Sequence, residues 1–533
     1  MPTVRETTYD LLRAWGLTTI FGNPGSNELP FLDGFPPDFR YVLGLHEGAV
    51  LAMADGYAQA TGRPALVNLH SAAGLGNAMG NLANARACHT PLVVTAGQQT
   101  RAMIGLGSVL AEPAMTRVPE PHVKWAFEPA RAQDVPRVLS EAFHLATLPP
   151  AGPVFVSLPL DDWAQEVSTD EVAHLATRRV RAAGALPPDV LADLASRLRG
   201  ARTPALVVGP EVDDECAFLR AVDLAEALQA PVWTAPTPPR CPFPTRHPLW
   251  RGVLPASIAG VSEQLAGHDV VLVLGAPVFR YHAYRPGPWL PEGCALISVS
   301  SDPGNAARAA FGDAIVADVA DVLAQLLGEL PPAPAAPPAP REATASPDIP
   351  DTPPFPAAAV FAQLARSLPA EVRLVNESTA NTSQFWDHLD LSRPRSFFFP
   401  AAGGLGFGLP AAVGVALADP GRPVLAVLGD GAVQYGVAGL WTAVQWNLPI
   451  TFLVLRNGGY GALRSFVNQL GVAGAPGLDL PGIDSVRIAE GYDLPAHHIT
   501  SLAELDTVLR ATQPGHGPRL VEVPITAETR SLG

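Results

Sequence analysis

Short apolar runs alternate with amphipathic runs along most of this chain. Residues 424–428 are an aliphatic run between Pro423 and Gly429, which predicts a buried parallel strand. Apolar side chains then recur at helical spacing up to Asn447, and a second apolar run over 450–455 predicts the next strand. A right-handed βαβ crossover brings the loops after both strands to one carboxyl edge of the sheet, where open α/β folds bind ligands.

The same alternation predicts α/β structure elsewhere. Its strand candidates end at Phe21, His46, His70 and Ala96, or span 205–208, 270–274 and 295–299. At 533 residues the chain is too long for one core, so we expect about three α/β domains, over 1–180, 181–329 and 357–533. Residues 330–356 are mostly Pro and Ala, which predicts an extended surface linker.

Composition and charge narrow the class of protein. With 48% hydrophobic and 16% charged residues, the chain is typical of a well-packed globular enzyme. A net charge of -15 argues against nucleic acid or an anionic membrane as the main partner. The first residues lack the order of a secretory signal, no apolar run is long enough to span a bilayer, and the four cysteines form no Cys-x-x-Cys pair. We therefore expect a cytoplasmic enzyme with a small-molecule substrate.

Oxygen-bearing side chains follow both strands of the βαβ unit. Asp430 and Asn457 lie 457 − 430 = 27 positions apart, and a backbone carbonyl of the turn over 457–461 adds a third oxygen. Mg²⁺ prefers such ligands. The flanking glycines let backbone N–H groups approach a diphosphate, and a helix opening at Ala432 presents its positive end to the same anion. The alternative is that Gly-Asp-Gly is only a turn.

Three proton-handling side chains lie in the first region at the ends of predicted strands. Ser26, Glu47 and His70 are expected to gather at one carboxyl edge. Each has a structural alternative: Ser26 as a helix cap, Glu47 as a first-turn acid, and His70 as a structural imidazole. The glycines of 74–80 lack the spacing of a dinucleotide fingerprint, so we expect them to allow close packing.

Longer sequence blocks carry a family resemblance. They are residues 21–32, 68–74, 97–105, 239–248, 275–282 and 401–407. Over essentially its full length the chain resembles the thiamine-diphosphate-dependent 2-keto acid decarboxylases, and among them the benzoylformate decarboxylases. The resemblance implies three doubly wound parallel-sheet domains. The first would bind the pyrimidine ring of the cofactor, the second would be the central domain, and the third would bind the diphosphate with Mg²⁺. The resemblance also implies a homotetramer built from dimers, with active sites at subunit interfaces.

The resemblance implies a role for each site residue. Glu47 would hydrogen-bond the aminopyrimidine of thiamine diphosphate, Ser26 would bind the substrate carboxylate, and His70 and His282 would transfer protons. The implied metal ligands are Asp430, Asn457 and the carbonyl of Gly459. The implied cofactor-binding residues are Asn23, Pro24, Gly25, Glu47, Thr379, Gly403, Leu405, Gly429, Asp430, Gly431, Ala432, Asn457, Gly459, Tyr460, Gly461 and Ala462. The implied substrate-pocket residues are Leu110, Phe399, Ala462 and Phe466.

The chain departs from the family pattern at three positions. Arg456 stands where relatives usually carry asparagine. At the positions of Ala380 and Ala432, a relative has hydroxyl side chains near the diphosphate. Each lost hydrogen bond would weaken cofactor binding by about 1 kcal/mol. The implied reaction is non-oxidative decarboxylation of an aromatic 2-keto acid, benzoylformate to benzaldehyde and CO₂. The alternatives are a carboligase or synthase that uses the same activated aldehyde, and an inactive cofactor-binding scaffold.

Overall fold

Three six-stranded sheets, each with all strands parallel, organise the molecule. The computed structural model describes residues 1–182, 184–332 and 352–527, without the side chains of 169–171. Helices connect the strands, which confirms the predicted α/β class. No helix within these described ranges combines the length and the apolar character needed to cross a membrane.

The first sheet has the strand order β2-β1-β3-β4-β6-β5. Its strands are β1 (Thr19–Gly22), β2 (Arg40–Leu43), β3 (Ala65–Leu69), β4 (Leu92–Gln98), β5 (Ala126–Phe127) and β6 (Val154–Pro159). The helices are α1 (Val4–Trp15), α2 (Leu29–Leu32), α3 (Glu47–Thr61), α4 (Ser71–Asn77), α5 (Met79–Ala87), α6 (Arg101–Ile104), α7 (Val135–Thr147) and α8 (Thr169–Thr177). Strand ends lie within three residues of the predicted ones. His46, predicted to end a strand, instead caps α3.

The second sheet has the order β12-β11-β10-β7-β8-β9, which is the order of doubly wound dinucleotide-binding domains. Its strands are β7 (Pro204–Val208), β8 (Val232–Thr234), β9 (Trp250–Val253), β10 (Val270–Leu274), β11 (Ala295–Ser300) and β12 (Asp313–Val316). The helices are α9 (Pro188–Gly200), α10 (Glu215–Leu228), α11 (Ile258–Gln264), α12 (Pro303–Arg308) and α13 (Val319–Glu329). At the end of β11, the Ser300 hydroxyl and the Ser301 N–H both donate to Glu211, at 2.6 and 2.8 Å. The carboxylate of Glu211 therefore already accepts the hydrogen bonds that these two groups would otherwise donate to a phosphate.

The third sheet has the order β14-β13-β15-β16-β18-β17, which repeats the order of the first sheet when strands are counted along the chain. Its strands are β13 (Arg373–Glu377), β14 (Phe397–Phe398), β15 (Val424–Gly429), β16 (Ile450–Arg456), β17 (Ala496–His498) and β18 (Arg519–Pro524). The helices are α14 (Ala357–Ser367), α15 (Thr382–His388), α16 (Gly408–Ala418), α17 (Asp430–Gly436), α18 (Gly439–Gln445), α19 (Gly461–Leu470), α20 (Ser485–Glu490) and α21 (Leu502–Arg510).

The helix predicted between β15 and β16 is divided in two, so the prediction of one helix opening at Ala432 is wrong. Helix α17 already begins at Asp430, and α18 starts only after a break that follows Gly436. A β-carbon on Gly436 would lie 2.7 Å from the ring of Pro410, and one on Gly439 would lie 2.8 Å from Leu409. The two glycines allow α16 to pack closely here, at the cost of helix propensity.

Helices α3 and α16 join the first and third domains. A β-carbon on Gly414 would lie 1.8 Å from the carbonyl oxygen of Met53, and one on Gly56 would lie 2.3 Å from that of Ala411. Only glycine permits such backbone contact. One apolar core contains residues of both domains, so they pack as one body.

Most of the predicted linker, residues 333–351, lies outside the described residues. Of its carboxyl end, Phe355 is fully buried, and its N–H donates to the carbonyl of Pro524 at 2.9 Å. The packed third domain therefore includes Phe355, within the segment predicted to be an exposed linker. The other predicted domain boundaries stay predictions.

Candidate active site

Glu47 is the first residue of α3, just beyond the end of β2. Its side chain is only 8% exposed and is held by two amides: Asn23 Nδ2 donates to Oε1 at 3.2 Å, and Asn77 Nδ2 donates to Oε2 at 3.0 Å. A β-carbon on Gly74 would lie 2.9 Å from Oε1, as expected of a glycine that allows close packing. In the ranges the structure describes, no cationic side chain pairs with Glu47, which leaves this carboxylate available to a ligand.

The loop after β1 connects Glu47 with His70. Asn23, at one end of this loop, contacts Glu47, and Glu28, at the other end, lies 2.8 Å from His70 Nδ1. Gly25 packs on the imidazole, because a β-carbon there would lie 2.2 Å from Nδ1. Ser26 follows Gly25 and is exposed. The structure therefore places the three predicted proton handlers at one edge of the first sheet.

Asp430 lies at the end of β15, where α17 begins. Its Oδ1 accepts the N–H of Gly431 at 2.9 Å, and its Oδ2 accepts that of Gly458 at 2.8 Å. Burial raises the pKa of Asp430, and these hydrogen bonds partly offset that effect. No ion pair reaches its carboxylate from any described residue. A bound cation would supply the missing positive charge.

The turn after β16 adds two oxygens to the edge that carries Asp430. Asn457 Oδ1 accepts the N–H of Gly459 at 3.1 Å, and Gly458 has the positive φ of 68° that favours glycine. With the Gly459 carbonyl, this donor set is the oxygen-only type that Mg²⁺ prefers, so the residues fit that ion. Arg456, the residue before Asn457, forms an ion pair with the buried Glu522, with its Nη1 3.5 Å from Oε1.

Helix amino ends and small residues surround the same edge. Helix α19 begins at Gly461, directly after Tyr460, and the amino end of a helix suits an anion. A β-carbon on Gly461 would lie 3.1 Å from Ala380, so the turn that carries Thr379 borders the start of α19. Ala432 is buried in α17. The predicted diphosphate-binding residues thus collect around Asp430.

The loop over 401–407 carries Gly403 and Leu405, and asparagines of the first domain hold it. Asn84 Nδ2 donates to the carbonyl of Gly404 at 2.9 Å, and its Oδ1 accepts the N–H of the same residue at 3.2 Å. Asn81 Nδ2 donates to the carbonyl of Gly406 at 3.2 Å. A loop predicted to contact the cofactor therefore takes its shape partly from another domain.

Glu377 holds the same loop from within the third domain. This fully buried carboxylate ends β13 and accepts the N–H groups of Gly406, Phe407 and Gly408 at 2.8 to 3.0 Å. Burial raises the pKa of Glu377 to about 7, against the effect of these three donors. The carboxylate links the end of β13 to the start of α16.

An imidazole and a phenyl ring meet between the second and third domains. The rings of His282 and Phe466 are perpendicular, with centroids 4.7 Å apart. Phe466 and Ala462 lie on α19, about one turn apart, and both are half-buried. Phe399 is also half-buried, and its N–H donates to the carbonyl of Pro239. Leu110 lies in a loop of the first domain with a φ of 68°, and no hydrogen bond or ring contact joins it to these residues in the described chain.

The predicted site residues, together with Glu28, thus form two groups within one chain. The amino-terminal half-site is Asn23, Ser26, Glu28, Glu47 and His70, and the carboxyl-terminal half-site is Asp430, Asn457, Gly459, His282 and Phe466. Across the part of the chain that the structure describes, no hydrogen bond or ion pair joins the two half-sites.

Several side chains that build these half-sites were not predicted from the sequence. They are Glu28, Asn77, Asn81, Asn84 and Glu377. Glu377 had a usable signal, because an acid at the end of an apolar strand is what singled out Asp430. Glu28 lies inside the first block of the family resemblance, but only the fold shows its partner. The three asparagines lie on helices α4 and α5 without a local motif.

Sequence models of the thiamine pyrophosphate enzymes match all three domains. The N-terminal binding domain matches residues 2–120, the central domain 191–326 and the C-terminal binding domain 378–523. The chain is also 52% identical, over 524 residues, to benzoylformate decarboxylase of Pseudomonas aeruginosa, with 98% of this chain and 99% of that protein covered. The chain belongs to the thiamine pyrophosphate enzyme family. The predicted family is therefore confirmed.

Solved structures of thiamine pyrophosphate enzymes share the whole architecture. The thiamine diphosphate-dependent 4-hydroxybenzoylformate decarboxylase of Rhodococcus jostii RHA1 has 50% identity and a TM-score of 0.96, with 99% of this chain and 100% of that one covered. Benzoylformate decarboxylase of Polynucleobacter necessarius has 39% identity and a TM-score of 0.95, with the same coverage. In this thiamine pyrophosphate enzyme, Glu47 and His70 lie in the N-terminal binding domain, and Asp430 and Asn457 lie in the C-terminal one.

Proposed function

We propose that this enzyme decarboxylates an aromatic 2-keto acid without oxidation, converting benzoylformate to benzaldehyde and CO₂. The observation that carries the proposal is the perpendicular pair of His282 and Phe466. An imidazole that can move a proton lies against an aromatic ring that can contact a phenyl group. The names of relatives that share 50% and 52% identity, which specify benzoylformate and 4-hydroxybenzoylformate, support the same substrate class.

Thiamine diphosphate supplies the nucleophilic carbon and the electron sink that this chemistry needs. Asp430, Asn457 and the carbonyl of Gly459 would hold Mg²⁺, which would neutralise charge on the diphosphate. Glu47 would exchange a proton with the pyrimidine, because its carboxylate is buried, held by two amides and free of any cationic partner among the described side chains. Gly403 and Leu405 would border the cofactor, on a loop that side chains of the first and third domains hold in place.

The substrate is bound by side chains from both half-sites in this proposal. The exposed Ser26 hydroxyl would donate to the substrate carboxylate, and His70 would transfer protons at the reacting carbon. His282 would assist protonation before the aldehyde leaves. Phe399, Ala462 and Phe466 would form the apolar wall for the phenyl ring, with Leu110 completing it.

The proposed site needs a second copy of the chain. No hydrogen bond or ion pair joins the residues of the two half-sites within the described part of one chain, and the loop before Leu110 leaves Leu106 77% and Val109 83% exposed. We therefore expect a dimer with two sites at its interface, and a tetramer built from such dimers. At a limiting thiamine diphosphate concentration, at which neither variant is active alone, mixing Glu47→Gln with Asp430→Asn subunits should restore activity, because each hybrid dimer contains one intact site. Hybrids that form but stay inactive would contradict a shared site.

A keto acid panel tests the reaction itself. Purified enzyme with thiamine diphosphate and Mg²⁺ should release benzaldehyde from benzoylformate and the corresponding aldehyde from its 4-hydroxy analogue. Pyruvate should react slowly, and each reaction should stop when both cofactors are removed. Turnover confined to aliphatic keto acids would reject the aromatic assignment. Adding an aldehyde acceptor tests the carboligase alternative, which predicts a 2-hydroxy ketone as the main product.

A further inference from the structure

Glu28 is a buried carboxylate in direct contact with His70. Its side chain is 1% exposed. Oε2 lies 2.8 Å from His70 Nδ1 and accepts the N–H of Gly25 at 2.9 Å, while Oε1 accepts the N–H groups of Gly97 and Ser71 at 2.8 and 3.4 Å. Three backbone N–H groups and one imidazole nitrogen, from three separate segments of the chain, therefore surround one carboxyl group.

The hydrogen-bond pattern around Glu28 favours a carboxylate that accepts from every neighbour. Backbone N–H groups only donate, and three of them occupy positions around both oxygens. A proton on Oε1 would oppose the N–H of Gly97 or of Ser71, and a hydroxyl group at Oε2 would be a poorer acceptor for the N–H of Gly25 than a carboxylate oxygen. The carboxylate therefore accepts the hydrogen bond from His70, and Nδ1 carries the proton.

We infer that Glu28 is a positioning residue, which fixes His70 in the tautomer protonated at Nδ1 and leaves Nε2 to exchange protons with the substrate. The inference rests on the proton-transfer role proposed for His70. In the described chain no hydrogen bond reaches Nε2. Little space is left for the ring to turn over, because Gly25 packs directly on it.

Glu28→Gln tests the inference with little change in shape. In this variant the side-chain amide nitrogen takes the place of either Oε1 or Oε2. At the Oε1 position it would oppose two backbone donors, those of Gly97 and Ser71, whereas at the Oε2 position it would face His70 and oppose only the N–H of Gly25. The second orientation is therefore favoured. The amide nitrogen would then donate to Nδ1 and force the proton onto Nε2. We expect kcat for benzoylformate to fall about 100-fold, with KM nearly unchanged, since the fault is a misplaced proton.

The tautomer can be measured without catalysis. In protein labelled with ¹⁵N-histidine, the His70 signals are assigned by their loss in His70→Ala. The wild type should show a protonated Nδ1 and a free Nε2, and Glu28→Gln should show the reverse. A wild-type His70 protonated at Nε2 and free at Nδ1 would overturn the inference, even if the variant fails to fold. A protein with the expected tautomer but no decarboxylase activity would reject the proposed function and leave the Glu28 contact standing.

A double variant separates positioning from general stability. If Glu28 acts through His70, then Glu28→Gln combined with His70→Ala should be no slower than His70→Ala alone. A further loss of about 100-fold in the double variant would overturn the inference. Glu226→Gln is the matched control, because Glu226 contacts His247 Nε2 at 3.2 Å in the second domain, away from both half-sites. This control should keep wild-type kcat.

Discussion

The first and third domains have the same strand order but different chemistry at the same edge. In both, the loops after the first four strands carry the candidate site residues. His70 follows β3 in the first domain, and Asp430 follows β15, the equivalent strand of the third. Helix α3 begins with Glu47, whereas its equivalent α16 begins after a glycine loop. Topology therefore decides where the site lies, and side chains decide what each half does.

The two halves also differ in how polar groups are used. The amino-terminal half-site contains carboxylates and an imidazole, which can move protons. The carboxyl-terminal half-site uses oxygens of one carboxylate, one amide and one carbonyl, together with helix amino ends, which suit a cation and a diphosphate. The amino-terminal half is thus suited to reaction, and the carboxyl-terminal half, apart from His282, is suited to anchoring. The following variants test this division of labour.

Glu47→Gln should have the largest effect, because it removes a proton handler and keeps the shape. We expect kcat to fall by about 1000-fold or more, while cofactor affinity changes far less. Steady-state kinetics and a cofactor titration measure the two effects separately. Unchanged turnover would refute the reacting role of the amino-terminal half.

Gly414→Ala tests whether the two domains must pack at α3 and α16. The new methyl group would meet the Met53 carbonyl, 1.8 Å away without relaxation. We expect the free energy of unfolding to fall by about 3 to 5 kcal/mol, beyond the usual range for a single substitution. Denaturant unfolding measures this. Gly328→Ala in α13 is the matched control, because a β-carbon there meets no atom within 4 Å and should not destabilise the protein.

Asp430→Asn should affect anchoring rather than reaction. It removes the one formal negative charge of the proposed metal ligands, so we expect Mg²⁺-dependent affinity for thiamine diphosphate to fall about 100-fold, or about 3 kcal/mol. Calorimetric titration at several Mg²⁺ concentrations measures it, and saturating cofactor should restore most of kcat. Asp419→Asn, at the other end of the same sheet, should bind like the wild type. Equal affinity in both variants would remove Asp430 from the metal site.

Asp55→Asn tests a difference between the paired helices. Asp55 is fully buried in α3, and it accepts Gln59 Nε2 at 2.7 Å, whereas α16 has no charged residue. Burial raises the pKa of Asp55 to about 6, from 3.8 in the unfolded chain. The folded state therefore binds the proton more tightly, and stability should fall by about 2 kcal/mol as pH rises from 4 to 6. The asparagine variant should lose this part of the pH dependence in unfolding measurements. An identical pH profile would contradict the raised pKa.

Phe466→Ala should have the smallest effect and should be confined to substrate binding. Loss of the ring contact with His282 should raise KM for benzoylformate by about fivefold to tenfold, which corresponds to roughly 1 kcal/mol. KM for pyruvate should change less. Leu470→Ala is the control on the same helix, because that side chain is 72% exposed. An equal rise in KM for both keto acids would argue against a phenyl pocket at Phe466.

The sequence located the strands and the residues at their ends well. The apolar runs over 270–274 and 450–455 became β10 and β16 with nearly the predicted bounds, because buried parallel strands are continuously apolar. The geometry of the βαβ crossover was enough to predict that Asp430 and Asn457 lie at the same edge of the sheet. The helix after β15 was misjudged, because its break depends on glycines that pack against α16, which precedes it along the chain.

Local pattern determined the α/β class, the order of elements and the polar residues at the strand ends. Periodicity and turn chemistry act over a few residues, so the sequence reveals them directly. Only the tertiary structure decided which side chains hold these residues: Glu28 behind His70, Asn84 around Gly404 and Glu377 beneath the start of α16. These contacts join positions from 29 to 320 residues apart, and no local pattern encodes such distances. The repeated strand order likewise became visible only once the sheets had formed.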